Sequence, residues 1–79
     1  MQQITIYSTP TCVYCRMAKE YFKKSDVAYT EHDVASDLAA RKDMFDKSHQ
    51  MGVPVIDIDG KIIVGFDQHA IDEALGAKK

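Results

Sequence analysis

The stretch STPTCVYCR, residues 8–16, contains both cysteines of this 79-residue chain, Cys12 and Cys15. Before it, Ile4–Tyr7 alternates isoleucine with threonine and tyrosine, which is typical of a β-strand. After it, side chains recur at helical spacing, with one apolar face, expected in the core, formed by Met17, Ala18, Tyr21 and Phe22. We therefore expect a strand, a short loop and a helix, with Cys12 at the helix start and Cys15 one turn later.

This position of Cys12 has a chemical consequence. The first backbone N–H groups of a helix lack partners within the helix, and the helix dipole favours negative charge there. Because thiolate is the reactive form of cysteine, Cys12 is predicted to be the more reactive sulfur and Cys15 the more buried one. Cys15 is near enough to form a disulfide with Cys12, and a dithiol that opens and closes carries two electrons.

A metal site is the alternative reading of the cysteine pair. Structural zinc usually takes four ligands, and His32, His49 and His69 are far from the pair along the chain and form no second paired motif. A redox pair is therefore favoured, and no metal-binding residues are predicted.

Composition and charge exclude several classes of protein. The apolar fraction of 46%, the charged fraction of 28% and the net charge of -2 are typical of a soluble globular protein, and 79 residues predict a single domain over residues 1–79. We see no basic patch for nucleic acid and no apolar run long enough for a membrane. The N-terminus lacks the pattern of a signal peptide, which favours the cytoplasm, where a cycling disulfide is more usual than a structural one.

The remaining pattern predicts the element order βαβαββα. A turn at Ser25-Asp26 precedes a second strand, and Asp59-Gly60 joins two β-rich runs as a hairpin. Ser36 is a candidate N-cap, and Asp67 caps the last helix, where Phe66 packs on Ile71. The predicted strands are Ile4–Tyr7, Val27–Asp33, Val55–Ile58 and Lys61–Val64, and the predicted helices are Val13–Lys24, Ser36–Ser48 and Asp67–Leu75. The second helix has a thin apolar stripe of Leu38 and Phe45, with Ala39 and Met44 beside it. Gly76 is expected to end the last helix, and residues 77–79 are expected to fray.

That order, with a C-x-x-C motif between strand and helix, resembles the thioredoxin fold and, within it, the glutaredoxin family. Residues 8–15 resemble the active-site loop of the family, and residues 52–54 resemble its Thr-Val-Pro segment, in which the proline is cis. Residues 65–67 resemble its Gly-x-Asp signature. The resemblance implies an α/β, thioredoxin-like fold with a four-stranded mixed sheet of order 2-1-3-4, the first and third helices on one face and the second on the other.

The resemblance also implies roles for individual residues. Cys12 would be the nucleophile and Cys15 the resolving thiol. Val53 would offer its backbone to an extended substrate, and Asp67 with nearby N–H groups would hold the γ-glutamyl end of glutathione. No cofactor is implied, and glutathione is a candidate co-substrate. The implied substrate or glutathione-binding residues are Thr11, Tyr14, Val53, Pro54, Gly65, Phe66 and Asp67.

Several family positions carry other residues here. Thr9 stands three residues before the first cysteine, where the family usually has a lysine, and Gln50 stands four residues before the proline, where a basic residue is common. Gln68 follows the Gly-x-Asp signature, where the family usually has a second acidic residue. Each lost cation removes a charge-assisted contact worth about 1.5–3 kcal/mol. This chain also has Val13 where the family usually has proline, Gly52 where it has threonine, and Val64 where it has the first of two glycines.

The functional prediction is a monomeric dithiol oxidoreductase that reduces protein or glutathione mixed disulfides. One alternative keeps the chemistry and changes the electron source, as in glutaredoxin-like donors that take electrons from thioredoxin reductase and serve ribonucleotide reductase. Another alternative is a module that binds a metal or an iron–sulfur cluster through the cysteine pair.

Overall fold

The computed structural model describes residues 3–76, and these residues form four strands and three helices. This confirms the predicted order βαβαββα, while the expected fraying of residues 77–79 lies outside the described residues. The elements are β1 Ile4–Ser8, α1 Val13–Lys24, β2 Thr30–Asp33, α2 Leu38–Ser48, β3 Val55–Ile58, β4 Lys61–Val64 and α3 Gln68–Ala74.

The strands form one mixed sheet in the order β2-β1-β3-β4. β1 pairs in parallel with β2 and antiparallel with β3, and β3 pairs antiparallel with β4. Asp59 and Gly60 join β3 to β4 with φ angles of 52° and 94°, in the left-handed region that a tight hairpin requires. The predicted mixed sheet of order 2-1-3-4 is confirmed, and β1 lies in its interior, where it leads directly into the cysteine loop.

Alternating side chains of the sheet build two separate apolar clusters. On one face, the isoleucines of β1 and β3 pack with Ala18 and Phe22 of α1 and Ile71 of α3. On the other face, Tyr7 and Val55 pack with two residues of α2 and with Val34. The predicted placement of α1 and α3 on one face and α2 on the other is therefore confirmed.

A polar network joins α2 to the sheet and explains Asp57, whose place in an apolar strand has no evident reason in the sequence. The hydroxyl of Tyr7 donates to Asp43 Oδ2 at 2.5 Å, and Lys47 Nζ lies 3.1 Å from the Tyr7 oxygen and 3.1 Å from Asp57 Oδ2. Asp57 also accepts the Gly60 N–H at 2.8 Å. The hydrogen bonds to Tyr7 and Asp57 raise the pKa of Lys47, so this side chain stays charged and holds α2 on β1 and β3.

The predicted N-cap of α2 and most of its predicted stripe were wrong, although Met44 beside that stripe is buried. Asp37, and not Ser36, is the N-cap, since its Oδ1 accepts the Ala40 N–H at 3.1 Å. The predicted Leu38 is 70% exposed and Phe45 is 46% exposed, and Ala39 is exposed too. The buried residues are Ala40 and Met44, because packing against Tyr7 and Val55 selects which side of this weakly amphipathic helix faces the sheet.

Three smaller expectations also differ. β2 begins at Thr30 and not at Val27, because the Val27 N–H closes the end of α1 by donating to the Phe22 carbonyl at 3.0 Å. Met17 was expected in the core but is 42% exposed. The last helix ends at Ala74 with Leu75 as its C-cap, while Asp67 is its N-cap as predicted.

Phe22→Ala is expected to lower the free energy of unfolding by about 3–5 kcal/mol, because it leaves a cavity in the α1 face of the core. Urea unfolding followed by circular dichroism would measure the change. Phe45→Ala is the matched control, since the same atoms are removed from a side chain that is 46% exposed. Equal losses in the two variants would contradict the placement of the core.

Candidate active site

Cys12 is the N-cap of α1, as predicted. Its backbone is extended, with φ -83° and ψ 116°, and its sulfur accepts the Cys15 N–H at 3.1 Å. The Cys12 N–H in turn donates to the Thr9 carbonyl at 3.3 Å, which closes the loop between β1 and α1. An N–H group that points at sulfur stabilises negative charge on it, so this is the position of the helix that best accommodates a thiolate.

Cys15 lies at the third helical position and is fully buried. Burial, followed by its hydrogen bond with Cys12, raises the pKa of the Cys15 thiol to about 12. A backbone hydrogen bond at Thr9 and the charge of Lys19 act in the opposite direction but do not outweigh burial. The two thiols are both free, and they differ as predicted: Cys12 is partly accessible and Cys15 is held inside as a protonated thiol.

A charged pair behind the loop escaped the sequence analysis. The buried Ser8 hydroxyl donates to Glu31 Oε2 at 2.9 Å, and Lys19 Nζ lies 2.8 Å from the same oxygen. The hydrogen bond from Lys19 lowers the pKa of Glu31 and raises that of Lys19. These contacts tie α1 to β2 beside the cysteines. Their only sequence signal is a pair of opposite charges 12 residues apart, for which no local pattern exists.

The loop before β3 lies against Cys12. The Val53–Pro54 peptide bond is cis, as the family resemblance implied, and Pro54 is buried. The Val53 carbonyl oxygen lies 3.9 Å from Cys12 Sγ, so residues 41 positions apart meet at the sulfur. The Gly65 N–H donates to the Pro54 carbonyl at 2.8 Å, which connects this loop to the segment before α3.

Gln50 folds back onto its own loop. Its side-chain amide donates from Nε2 to the Gly52 carbonyl at 3.1 Å and accepts the Gly52 N–H on Oε1 at 2.7 Å. A Cβ atom on residue 52 would lie only 2.8 Å from that Oε1, so the absence of a side chain at Gly52 makes room for the amide. Both backbone groups of Gly52 are thereby satisfied within the chain.

The structure shows no bond between the remaining predicted site residues and the sulfurs in the described part of the chain. Thr11 is exposed, and Tyr14 is 61% exposed beside Cys15 in sequence. Gly65 has a φ of 83°, Phe66 packs edge-on against Tyr21 with ring centroids 5.9 Å apart, and Asp67 Oδ1 caps α3 by accepting the Ala70 N–H at 3.1 Å. Within residues 3–76, no hydrogen bond joins these five residues to Cys12 or Cys15.

The described residues contain neither a cluster of metal-ligating side chains nor a membrane-spanning helix. No group of three or more His, Cys, Asp or Glu side chains in residues 3–76 is arranged to hold a metal ion. Over the same range, no helix combines the length and the apolar character needed to cross a bilayer.

Comparison with known proteins connects this geometry to one family. Residues 4–63 match the sequence profile of the glutaredoxins. A protein of Clostridium pasteurianum, described as a glutaredoxin-like 8.6 kDa protein in the rubredoxin operon, is 49% identical over 72 residues, which cover 91% of this chain and 96% of that protein. Glutaredoxin 3 of Escherichia coli is 34% identical over 73 residues, which cover 91% of this chain and 88% of that protein.

Solved structures agree with the sequence comparisons. The crystal structure of a variant of a thioredoxin-like protein superposes with a TM-score of 0.90 at 33% identity, covering 99% of this chain and 100% of that one. The methanoredoxin of Methanosarcina acetivorans superposes with a TM-score of 0.86 at 28% identity, covering 94% of this chain and 84% of that one. The predicted thioredoxin-like fold is confirmed by these neighbours.

Iodoacetamide at about pH 7 is expected to modify Cys12 and to leave Cys15 unmodified in the folded protein, because alkylation needs an accessible thiolate. Peptide mass spectrometry would locate the adduct. The control is the same reaction in concentrated guanidinium chloride, where both thiols should react. Equal labelling of both cysteines in the folded protein would contradict the described burial.

Glu31→Gln is expected to remove a pH-dependent part of the stability. The folded-state pKa of Glu31 lies below its unfolded value of about 4.3, so the ionised group stabilises the fold above that pH, and the contribution is lost as the pH falls through the folded-state pKa. Unfolding free energies of the wild type and Glu31→Gln, measured in urea, should therefore differ most above the unfolded-state pKa and converge as the pH falls through the folded-state pKa.

The matched control is the same substitution in a Lys19→Met background. Lys19 supplies the main cause of the shift, so the pH-dependent difference should be smaller there. A difference of the same size in both backgrounds would show that the Lys19–Glu31 pair does not carry the effect.

Proposed function

Because this chain belongs to the glutaredoxin family, we propose that it is a dithiol thiol–disulfide oxidoreductase that reduces protein or glutathione mixed disulfides. The observation that carries the proposal is the pairing of an N-cap sulfur, Cys12, which accepts the Cys15 N–H at 3.1 Å, with a buried thiol one helical turn later. The reacting group and its resolving partner are thereby held on the same rigid element.

The reaction proceeds in two exchanges. The Cys12 thiolate attacks one sulfur of a substrate disulfide, whose S–S bond breaks, and the released sulfur takes up a proton. Cys15 then loses its proton and attacks the Cys12 sulfur of the mixed disulfide, which releases the second substrate sulfur. The substrate gains two electrons and two protons, and the Cys12–Cys15 pair is left oxidised.

The environment of Cys15 orders these two steps. Its hydrogen bond to Cys12 and the negative charge of Cys12 both add to the burial that raises the pKa of Cys15. When Cys12 enters a neutral mixed disulfide, that charge disappears and the Cys15 proton becomes easier to remove. Cys15 is therefore a protonated, unreactive thiol before the first exchange, and it loses its proton more readily after that exchange.

Substrate would be held by backbone around the sulfur. The Val53 carbonyl faces Cys12 at 3.9 Å, and an extended substrate could pair with this backbone beside the reacting sulfur. Thr11 and Tyr14 lie at the exposed rim, and Gly65–Asp67 would meet the γ-glutamyl end of glutathione. Glutathione is the proposed co-substrate, and no resident cofactor is proposed. The E. coli relative named Glutaredoxin 3 supports this assignment.

A second candidate is a donor with the same chemistry that takes its electrons from thioredoxin reductase. Gln50 stands where many glutathione-binding relatives carry a basic residue, and its amide is engaged with Gly52 through two hydrogen bonds. Thr9, where many of those relatives carry a lysine, is also uncharged. Fewer cations for the glutathione carboxylates favour a protein donor over glutathione.

The proposed setting is the cytoplasm, where thiols are kept reduced and a cycling disulfide can be regenerated. Disulfide-containing proteins are the proposed partners of a monomeric enzyme. Nucleic acids and membranes are not proposed as partners.

Cys12→Ser is expected to lower the reduction of a peptide mixed disulfide to the rate without protein, because the attacking sulfur is gone. Cys15→Ser should retain the first exchange and accumulate a covalent mixed disulfide, since no thiol resolves it. Stopped-flow kinetics and intact-protein mass spectrometry would measure the two steps. Full activity of Cys12→Ser would overturn the proposal.

One coupled assay decides between the two electron sources. Oxidised wild-type protein is supplied either with glutathione, glutathione reductase and NADPH or with thioredoxin reductase and NADPH. Faster NADPH oxidation with glutathione would support the first candidate, and faster oxidation with thioredoxin reductase would support the second. Cys12→Ser is the blank in both systems.

A further inference from the structure

An open groove of about 610 Å³ lies between α1 and the segment that leads into α3. It is lined by Met17, Glu20, Tyr21, Lys23, Lys24 and Phe66. Its floor is aromatic, because the rings of Tyr21 and Phe66 contact each other edge-on at 5.9 Å. The hydroxyl of Tyr21 donates a hydrogen bond to Asp72 Oδ1 on α3, which holds the ring in place. The floor of the groove is therefore a preformed aromatic surface, and charged side chains lie around it.

The charge of the groove is asymmetric. Lys23 and Lys24 form the last turn of α1, and a single carboxylate, Glu20, lines the same surface. Within residues 3–76, neither lysine forms an ion pair, whereas Lys19, Lys42 and Lys47 all do. Two ammonium groups at one end of an apolar floor are complementary to a segment with an apolar side chain followed by a carboxylate.

The groove runs along α1, the helix that Cys12 caps. It is lined by Met17, five positions after Cys12, and by Phe66, one of the predicted substrate-binding residues. At a rise of about 1.5 Å per residue, Lys24 lies about 18 Å along the helix axis from Cys12. An extended chain covers about 3.3–3.6 Å per residue, so about five residues span that distance.

From this geometry we propose that the groove binds an extended segment of the disulfide substrate, with an acidic residue about five positions from the reacting cysteine facing Lys23 and Lys24. The inference rests on the proposed oxidoreductase function and names the class of protein substrate that it prefers. An apolar substrate side chain between the cysteine and the acidic residue packs on Tyr21 and Phe66. Substrate selection then combines the thiol exchange at Cys12 with recognition along α1.

Synthetic peptides of one cysteine, joined to 2-mercaptoethanol by a disulfide, test this proposal. One peptide carries glutamate five positions before and after the cysteine, a second carries glutamine and a third lysine at the same places. The measured quantity is the second-order rate constant for oxidation of the reduced protein. At low salt we expect the glutamate peptide to react about five- to tenfold faster than the glutamine peptide, and the lysine peptide to react slowest.

Charge reversal with a matched control sharpens the test. In Lys24→Glu, the ratio of the glutamate to the glutamine rate should fall to one or below, and the lysine peptide should become the best of the three. Lys42→Glu changes the net charge equally, but its side chain is 80% exposed on α2, on the other face of the sheet. It should keep the wild-type ratio.

The outcomes separate this proposal from the one on which it rests. A wild-type protein that reduces bis(2-hydroxyethyl) disulfide, which is small and neutral, but treats the three peptides alike would overturn the groove proposal alone. A wild-type protein that reduces no disulfide would overturn the proposed function. Equal changes in Lys24→Glu and Lys42→Glu would assign the preference to net charge and would also overturn the groove proposal.

Discussion

The hydrogen bond from the Cys15 N–H to Cys12 Sγ is the contact on which the candidate site depends. It places a sulfur where serine, threonine or aspartate usually caps a helix, and it leaves that sulfur partly accessible at the end of β1. The same bond brings both cysteines onto the first turn of one helix. Because helical geometry determines the spacing of the pair, neither sulfur needs a flexible loop to reach the other.

The rest of the fold holds that helix in one position. Ala18 and Phe22 pack α1 against the apolar face of the sheet. The Lys19–Glu31 ion pair links α1 to β2, the edge strand of the sheet. Behind the sheet, Lys47 links α2 to β1 and β3 through Tyr7 and Asp57. These anchors bury one side of α1, including Cys15, and leave Cys12 partly accessible at its N-terminus. In the proposed function, this difference in accessibility makes Cys12 the attacking thiol and Cys15 the resolving one.

In the proposed function, the surface near the sulfur would combine two kinds of recognition. Backbone from the Val53–Pro54 loop lies next to Cys12 and would suit any extended chain, whatever its sequence. The groove along α1 offers aromatic rings and two lysines, which would distinguish among the side chains of a substrate as proposed above. Gln50, which binds its own backbone at Gly52, removes one place where a charged ligand would otherwise find hydrogen-bond donors. In these proposals, thiol exchange and substrate selectivity lie on different parts of the molecule.

The sequence by itself determined the element order, the N-cap positions of Cys12 and Asp67 and the hairpin at Asp59-Gly60, because periodicity, capping and turn preferences act within a few residues. Only the tertiary structure decided which side of α2 is buried, why Asp57 is tolerated in β3, and that Lys19 meets Glu31. It also decided that the Val53 carbonyl faces Cys12 across 41 positions. Such contacts depend on how separate elements pack, and no local pattern along the chain records that packing.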